Sequence, residues 1–491
     1  MASDRGNALA RELLIGGGWA GGFVFALYAV LANLSLPETA FLTGLYALCV
    51  VPIIGWYLAG MKWIPLGEAF VLLHLLYYVL PPLAGRKDWL SYSESEQMIT
   101  LMAVALFLVV FLAVYRAVLR SSWKSLERIS LFHREMRLDA MGGIFGLWIV
   151  VSVLQATHLV PNLANYRNVF DTFLAALGVL GIAYIFYQLG RGKISSWQRT
   201  VVIGGFIVGM AAGFVNGYLQ GNVQTLGVAL LAYTLGGKQV PVSAIALSLV
   251  MLTILQLGKH EFRASYWNDA ANDSENSVGL VERYETWLGA GWEKMMPGNE
   301  ETTDSEGLVE RASLIQILAL AMKATPAVQP FLNGKTYLML PELLVPRIFW
   351  PDKPRGTLPT ETIGIYYGIQ TEAGATSTGI SVGPLAEAWA NLGWCGMVVS
   401  ASFFGLLFGL AAKVSLQFVP SQVGWLLAAI ILNYSIKMEA CVAEIASSLL
   451  QMLLVTVILL FVLSHPPTSM PQKRSMAKSR RPITFKPAIR S

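Results

Sequence analysis

The sequence predicts an all-α polytopic membrane protein, and three observations carry that prediction. Its 491 residues are 55% hydrophobic and only 13% charged, about half the charge a soluble domain carries. Mean hydropathy is +0.55. Several apolar runs reach the roughly 18–20 residues that a helix needs to cross a bilayer. The net charge of +5 and pI near 8.9 do not point to nucleic acid, because the cations gather in loops where membrane insertion accounts for them. Cys49, Cys395 and Cys441 all fall in apolar segments, with neither metal-ligand spacing nor a disulfide frame, and read as small core residues. No metal-ligand cluster, P-loop or nucleophile elbow is present in the sequence. The first apolar run follows a short charged leader, "MASDRGNALARELL", with no cleavable signal peptide before it.

Hydropathy places twelve spans near residues 13–34, 40–60, 63–83, 98–119, 140–159, 169–189, 199–219, 221–236, 240–258, 381–412, 421–440 and 447–464. The eighth, "GNVQTLGVALLAYTLG", is short and polar at its start; it reads as a span or as a re-entrant hairpin paired with its neighbour. Loop charges give the orientation independently. With the N-terminus inside, the cations of 116–139 (Arg116, Arg120, Lys124, Arg128, Arg134, Arg137), of 190–199 (Arg191, Lys193, Arg199) and of the tail from His465 all lie in the cytoplasm, as do Lys62, Lys238 and Lys413. That is the side the positive-inside rule requires. The expected organisation is an N-terminal bundle of nine spans over 1–258, an external loop over 259–380, a three-span bundle over 381–464 and a basic cytoplasmic tail over 465–491.

The external loop holds sixteen acids against ten bases. Its first half is acidic and polar and reads as a partly mobile insertion. Its second half is mostly apolar, with helical stretches too short to span, and reads as helices lying at the outer face. The stretch "LPELLVPRIFWPDKPRG", from Leu340 to Gly356, differs from everything around it. Pro341, Pro346, Pro351, Pro354 and Pro359 fall within nineteen residues, with Arg347, Lys353 and Arg355 among them. Proline removes a backbone donor and fixes φ, so this segment runs extended with turns. Irregular backbone near a membrane persists only when buried in protein or lining a watery cavity. Phe349 and Trp350 suit the headgroup level. Cations on a stiff backbone at that depth suit a fixed anion, and arginine grips phosphate or pyrophosphate bidentately. Contact with lipid phosphates is the alternative for these cations. Asp352 reads as a turn or ion-pair residue.

A second constellation follows in "GATSTGISVGPLAEAWANLGW". Pro384 suits a first helical turn, so a helix begins here with its N-terminus outward, as a ready anion site. Gly383, Glu387 and Asn391 recur every four residues and share one face. A carboxylate one turn into a membrane helix must face protein or water; Glu387 reads either as the ion-pair partner of a loop cation or as a base or binder of the acceptor sugar. Tyr337 reads as packing or as a sugar contact. Glu68, His74, His158 and His260 read as structural or surface residues, and Lys437, Glu439 and Glu444 as a solvated turn.

The pattern "ERASLIQIL…TPAVQPFLNGKTYL…LVPRIFWPDKP", followed by "STGISVGPLAEAWANLGWCGMV", resembles the bacterial oligosaccharide repeat-unit polymerases, the Wzy or O-antigen polymerase family. The resemblance runs from about Glu310 to Met397, under a fifth of the chain. It implies a GT-C-like membrane glycosyltransferase of the inner (cytoplasmic) membrane. Such an enzyme moves a growing glycan from undecaprenyl pyrophosphate to a hydroxyl of another lipid-linked repeat unit. It further implies pyrophosphate contacts from Arg347, Arg355, Lys353 and Arg311, with Glu387 first and Asp352 second as catalytic carboxylate. Asn391, Tyr337 and Trp350 would contact the acceptor or glycan. No cofactor, metal or nucleic acid is implied; membrane lipids, a chain-length regulator and a flippase are the expected partners. An O-antigen ligase-like enzyme, or a flippase or other carrier, is the alternative reading.

Overall fold

The structure is a computed structural model that describes residues 15–27, 35–83, 87–121, 134–157, 167–215, 217, 219–237, 239–266, 280–296, 313–345, 349–350, 352–377, 379–417 and 422–465. Most of the acidic insertion, the basic tail, Arg311 and Arg347 lie outside the described residues.

The first helices are α1 (Ile15–Leu27), α2 (Leu36–Leu58) and α3 (Leu66–Leu83). α2 opens on Ser35, whose hydroxyl accepts from the Glu38 N–H, the usual economy for an unpaired first-turn donor. α3 contains a π-helical turn, Leu75–Val79. α4 (Glu94–Arg120) starts at a capping box in which Ser93 and Glu96 satisfy one another's backbone donors. Then come α5 (Leu138–Ala156), α6 (Arg167–Gly190), α7 (Ser196–Phe214), α8 (Gln220–Gly237), α9 (Val242–Leu257), α10 (Lys259–Tyr266) and α11 (Leu280–Met295). The loop region supplies α12 (Ile315–Ala324), α13 (Lys335–Leu338), α14 (Leu340–Leu344) and α15 (Leu358–Tyr366). The chain finishes with α16 (Pro384–Gln417), α17 (Gln422–Ser435) and α18 (Val442–Leu463). A two-residue antiparallel pair joins β1 (Glu135–Met136) to β2 (Ser464–His465).

Among the described residues, seven helices are long and apolar enough to cross a membrane, or eight if α9 and α10, bent by 47°, form one broken span. The protein is therefore an all-α membrane protein by length and composition. The sequence reading expects four further spans, and each falls on a helix that misses this standard. The described parts of α1 and α17 fall below the required length, while α7 opens with Gln198 and Arg199 and α8 with Gln220, Asn222 and Gln224, which lower their apolar content. The acidic half of the loop also holds two packed helices. Trp287 of α11 is buried, stacks 4.6 Å from Phe262 of α10 and donates its indole N–H to the Leu255 carbonyl at 2.6 Å.

α16 lies along α4, with α3 and α12 against it, while α6 joins α5 and α8 to α17 and α18. At the heart of the first group, the buried ring of Phe70 sits 5.0 Å from Phe111, 5.2 Å from Phe404 and 5.1 Å from Phe408, centroid to centroid. Chain ends that the loop charges assign to one side occur together. At the terminal end, β1 pairs with β2, Lys413 donates to the Val118 carbonyl at 3.0 Å and to Ser121, and the Ile64 N–H donates to Ser415 at 2.9 Å. At the opposite, loop end, Lys323 pairs with Glu96 at 3.2 Å and the Leu314 N–H donates to the Tyr77 carbonyl at 3.0 Å.

Candidate active site

The loop end is built around the first two turns of α16. Gly383 enters the helix with φ at 81°, a left-handed conformation that glycine adopts without steric cost. The Val382 and Gly383 N–H groups both donate to the Glu439 carbonyl at 3.1 Å. Glu439 also accepts from Tyr77 at 3.2 Å and Ser381 at 3.0 Å through its two carboxylate oxygens. The turn between α17 and α18, expected as a solvated one, is instead the clasp that holds the start of α16. Leu385, Ala386 and Glu387 are wholly buried, so the α16 N-terminus is not the open anion site its sequence suggests.

Glu387 and Asn391, one turn apart and both wholly buried, meet the loop through Thr336 of α13. The Thr336 hydroxyl donates to Glu387 at 2.7 Å and accepts from the Asn391 amide at 2.8 Å. The other Glu387 oxygen accepts the Val442 N–H at the start of α18, where a helix N-terminus favours negative charge. One carboxylate thus ties α13, α16 and α18 together. Glu387 therefore has a hydroxyl and a backbone donor for partners rather than a loop cation.

α16 is broken at Gly393, where φ is 56°. The break leaves the Ala390 and Asn391 carbonyls to accept from the Leu332 and Asn333 N–H groups at 2.9 and 3.1 Å. The loop is thereby stitched to the helix by main chain as well as side chain. Two polar atoms beside Glu387, the Asn391 Oδ1 and the Tyr337 hydroxyl, are buried with no partner among the described residues. Burial first, and then the Glu387 charge, raises the Tyr337 hydroxyl above the ordinary tyrosine range. Buried orphans of this kind are rare and costly, and at such a place they suit a polar group brought by a ligand.

The proline-rich stretch separates its cations. Lys353 is buried and donates to the Leu343 carbonyl at 3.1 Å and the Val345 carbonyl at 2.8 Å; it anchors the end of α14 instead of facing outward. Arg355, two residues on, has half its side chain exposed and donates from Nη2 to Glu361 Oε2 at 2.9 Å. Asp352 and Phe349 are exposed, as is Trp350 in part. Thr360 donates to Glu444 at 3.1 Å, and Glu444 lies within electrostatic reach of Glu361, Glu387 and Lys437. Burial pushes the Lys437 ammonium below its ordinary value, and the Glu444 charge draws it back up.

The structure thus brings Glu387, Asn391 and Tyr337 into one polar cluster, continues it through Glu444 to Glu361 and Arg355, and turns Lys353 away. Thr336 and Glu361 belong to this end and escape the sequence reading, and Glu439 and Glu444, read there as part of a solvated turn, belong to it as well. The available signal was a carboxylate inside a short apolar helix, "LPTETIGIY", directly after the proline motif.

A family model described as a domain of unknown function (DUF8712) matches residues 144–462, well over half of the chain. The chain belongs to this family. No curated protein and no solved structure matches it. The DUF8712 match takes in α6 to α17, most of α5 and α18, and every described residue of the polar cluster, whereas α1 to α4 precede it.

Proposed function

We propose that this DUF8712 protein is a membrane glycosyltransferase that polymerises undecaprenyl-pyrophosphate-linked oligosaccharide repeat units at the outer face of the bacterial inner membrane. In this reading it has twelve spans, a GT-C-like fold and both termini in the cytoplasm. The observation that carries the reading is the loop end itself. The proline-rich stretch is helical where it opens as α14, over Leu340–Leu344, and the non-helical turn directly before α15 sets a half-exposed arginine, Arg355, beside a buried carboxylate network on two apolar helices. Ionisable groups on membrane helices are expensive and mark function by default.

The chemistry follows from the parts. A sugar hydroxyl of the acceptor attacks the anomeric carbon of the donor glycan. The bond from that carbon to the pyrophosphate oxygen breaks, and undecaprenyl pyrophosphate leaves with the electron pair. Arg355 stabilises the growing charge on the leaving group, as preorganised donors do. Arg347, placed by the motif alone, is expected to share that task. The acceptor proton passes to a carboxylate. An acceptor hydroxyl taking the place of the Thr336 hydroxyl would donate to Glu387 and accept from the Asn391 amide N–H, so Glu387 stands ahead of the exposed Asp352 as base. Attack by one activated hydroxyl inverts the anomeric centre.

Deletion of the gene in the producing bacterium tests this directly. The expected result is loss of long polysaccharide, with single repeat units still made and lipid-linked. Normal chain lengths in the deletion strain would refute the reading. Long free chains that fail only to reach their final acceptor would favour the ligase alternative.

A further inference from the structure

We infer that Glu361 is a positioning residue for Arg355, and that the pair acts as one binding unit for a pyrophosphate-bearing lipid. The inference rests on the reading above. Its basis is an asymmetry within the pair: the Arg355 side chain is 50% exposed and that of Glu361 only 10%. Both Glu361 oxygens are held. Oε2 accepts from Arg355 at 2.9 Å, and Oε1 accepts from the Thr357 hydroxyl at 2.6 Å. The backbone between them is a closed turn, with the Leu358 N–H donating to the Arg355 carbonyl at 3.1 Å and the Glu361 N–H to the Thr357 carbonyl at 3.0 Å. The acid is thus a fixed post in the first turn of α15, and the guanidinium is tied to it.

A free arginine side chain samples many rotamers, and ordering it on binding opposes affinity. Tethered to Glu361 through Nη2, Arg355 keeps most of its five N–H donors for an incoming oxyanion. The competing account is an ordinary surface ion pair, which contributes little. That account offers no reason for the near-complete burial of the acid or for its second tie to Thr357. The two accounts also differ in sign. If only charge mattered, removing a carboxylate from behind the guanidinium would strengthen anion binding. Positioning predicts the reverse.

The test uses full-length protein in nanodiscs, titrated with undecaprenyl pyrophosphate and, for comparison, undecaprenyl monophosphate. Arg355→Ala is expected to weaken pyrophosphate-lipid binding about tenfold or more, and Glu361→Gln by about fivefold. Thr357→Val, which frees one carboxylate oxygen while keeping the charge, should weaken it by a smaller factor in the same direction. Glu361→Gln added to Arg355→Ala should cost nothing further, because residues acting through one another are not additive. Wild-type binding with Glu361→Gln equal or tighter, or with the two substitutions additive, overturns the positioning role and leaves the functional reading standing. Failure of the wild-type protein to bind the pyrophosphate lipid overturns both.

Discussion

Both halves of α16 bury side chains against the rest of the protein, and for opposite reasons. Beyond Gly393, Phe404 and Phe408 are wholly buried against Phe70 and Phe111. Each ring gains contact wherever it is enclosed, so that half needs only the right volume. Before Gly393, Glu387 and Asn391 are just as buried, and there burial is a cost unless each polar atom finds a partner. The Glu387 oxygens find theirs in Thr336 and Val442; the Asn391 Oδ1 finds none among the described residues. A helix built for stability alone would continue its aromatic pattern to Pro384. The polar half is therefore where the fold gives up stability, and where chemistry is to be sought.

Substitutions in the two halves should separate the two properties. The largest effect is expected from Glu387→Gln, which keeps size and can keep the Val442 bond. If Glu387 accepts the acceptor proton, the rate of polymerisation falls by about 10²–10⁴-fold while thermal stability changes little. A normal rate would remove Glu387 from the chemistry and leave it as a tie between helices. Phe404→Ala should do the opposite. It leaves a cavity costing about 3–5 kcal/mol, seen as a lowered melting temperature, with activity per folded molecule retained; lost activity at an unchanged melting temperature would erase the distinction drawn here.

The same contrast exists on a smaller scale within the proline-rich stretch. Arg355→Ala should lower the rate by about 10²-fold, as loss of a charge contact to the leaving group does, without affecting melting. Lys353→Ala removes the donor to the Val345 carbonyl and leaves the Leu343 carbonyl with Gln451 alone; it should cost about 1–3 kcal/mol of stability, with activity per folded molecule within a few-fold of wild type. If the two effects were exchanged, the assignment of Arg355 to the ligand and Lys353 to the fold would be reversed. The smallest effect is expected of a chelator: excess EDTA should leave polymer length unchanged, and a loss restored by one added metal would contradict that.

What the sequence made legible was periodic and local. Apolar runs announce the helices, Pro384 announces the start of α16, and the four-residue spacing places Glu387 and Asn391 on one face. Cations two residues apart gave no warning of their different fates, because the backbone turn in which the Lys353 N–H donates to the Trp350 carbonyl sends one side chain inward. Nor did Thr336, Glu361 and Val442 show their connection with Glu387 and Arg355. They come from separate stretches of chain and meet only when the loop docks on α16 and α18. Gly393 was equally silent: as a helix break that frees two carbonyls for the loop, it reads in sequence as one small residue among many. The difference between the twelve expected spans and the seven or eight that meet the length-and-composition standard among the described residues has another source in α7 and α8, where polar residues at the helix starts lower apolarity without ending the helix.

The central claim is that the polar end of this bundle transfers glycan from a pyrophosphate lipid. It is tested most directly with purified protein in liposomes given a single undecaprenyl-pyrophosphate-linked repeat unit. Oligosaccharide length and released undecaprenyl pyrophosphate are measured together over time. The account predicts longer lipid-linked glycans, one undecaprenyl pyrophosphate released for each glycosidic bond formed, and an inverted anomeric configuration at the new linkage. Substrate that stays a single repeat unit, with no pyrophosphate lipid released by protein shown to be folded, would contradict it.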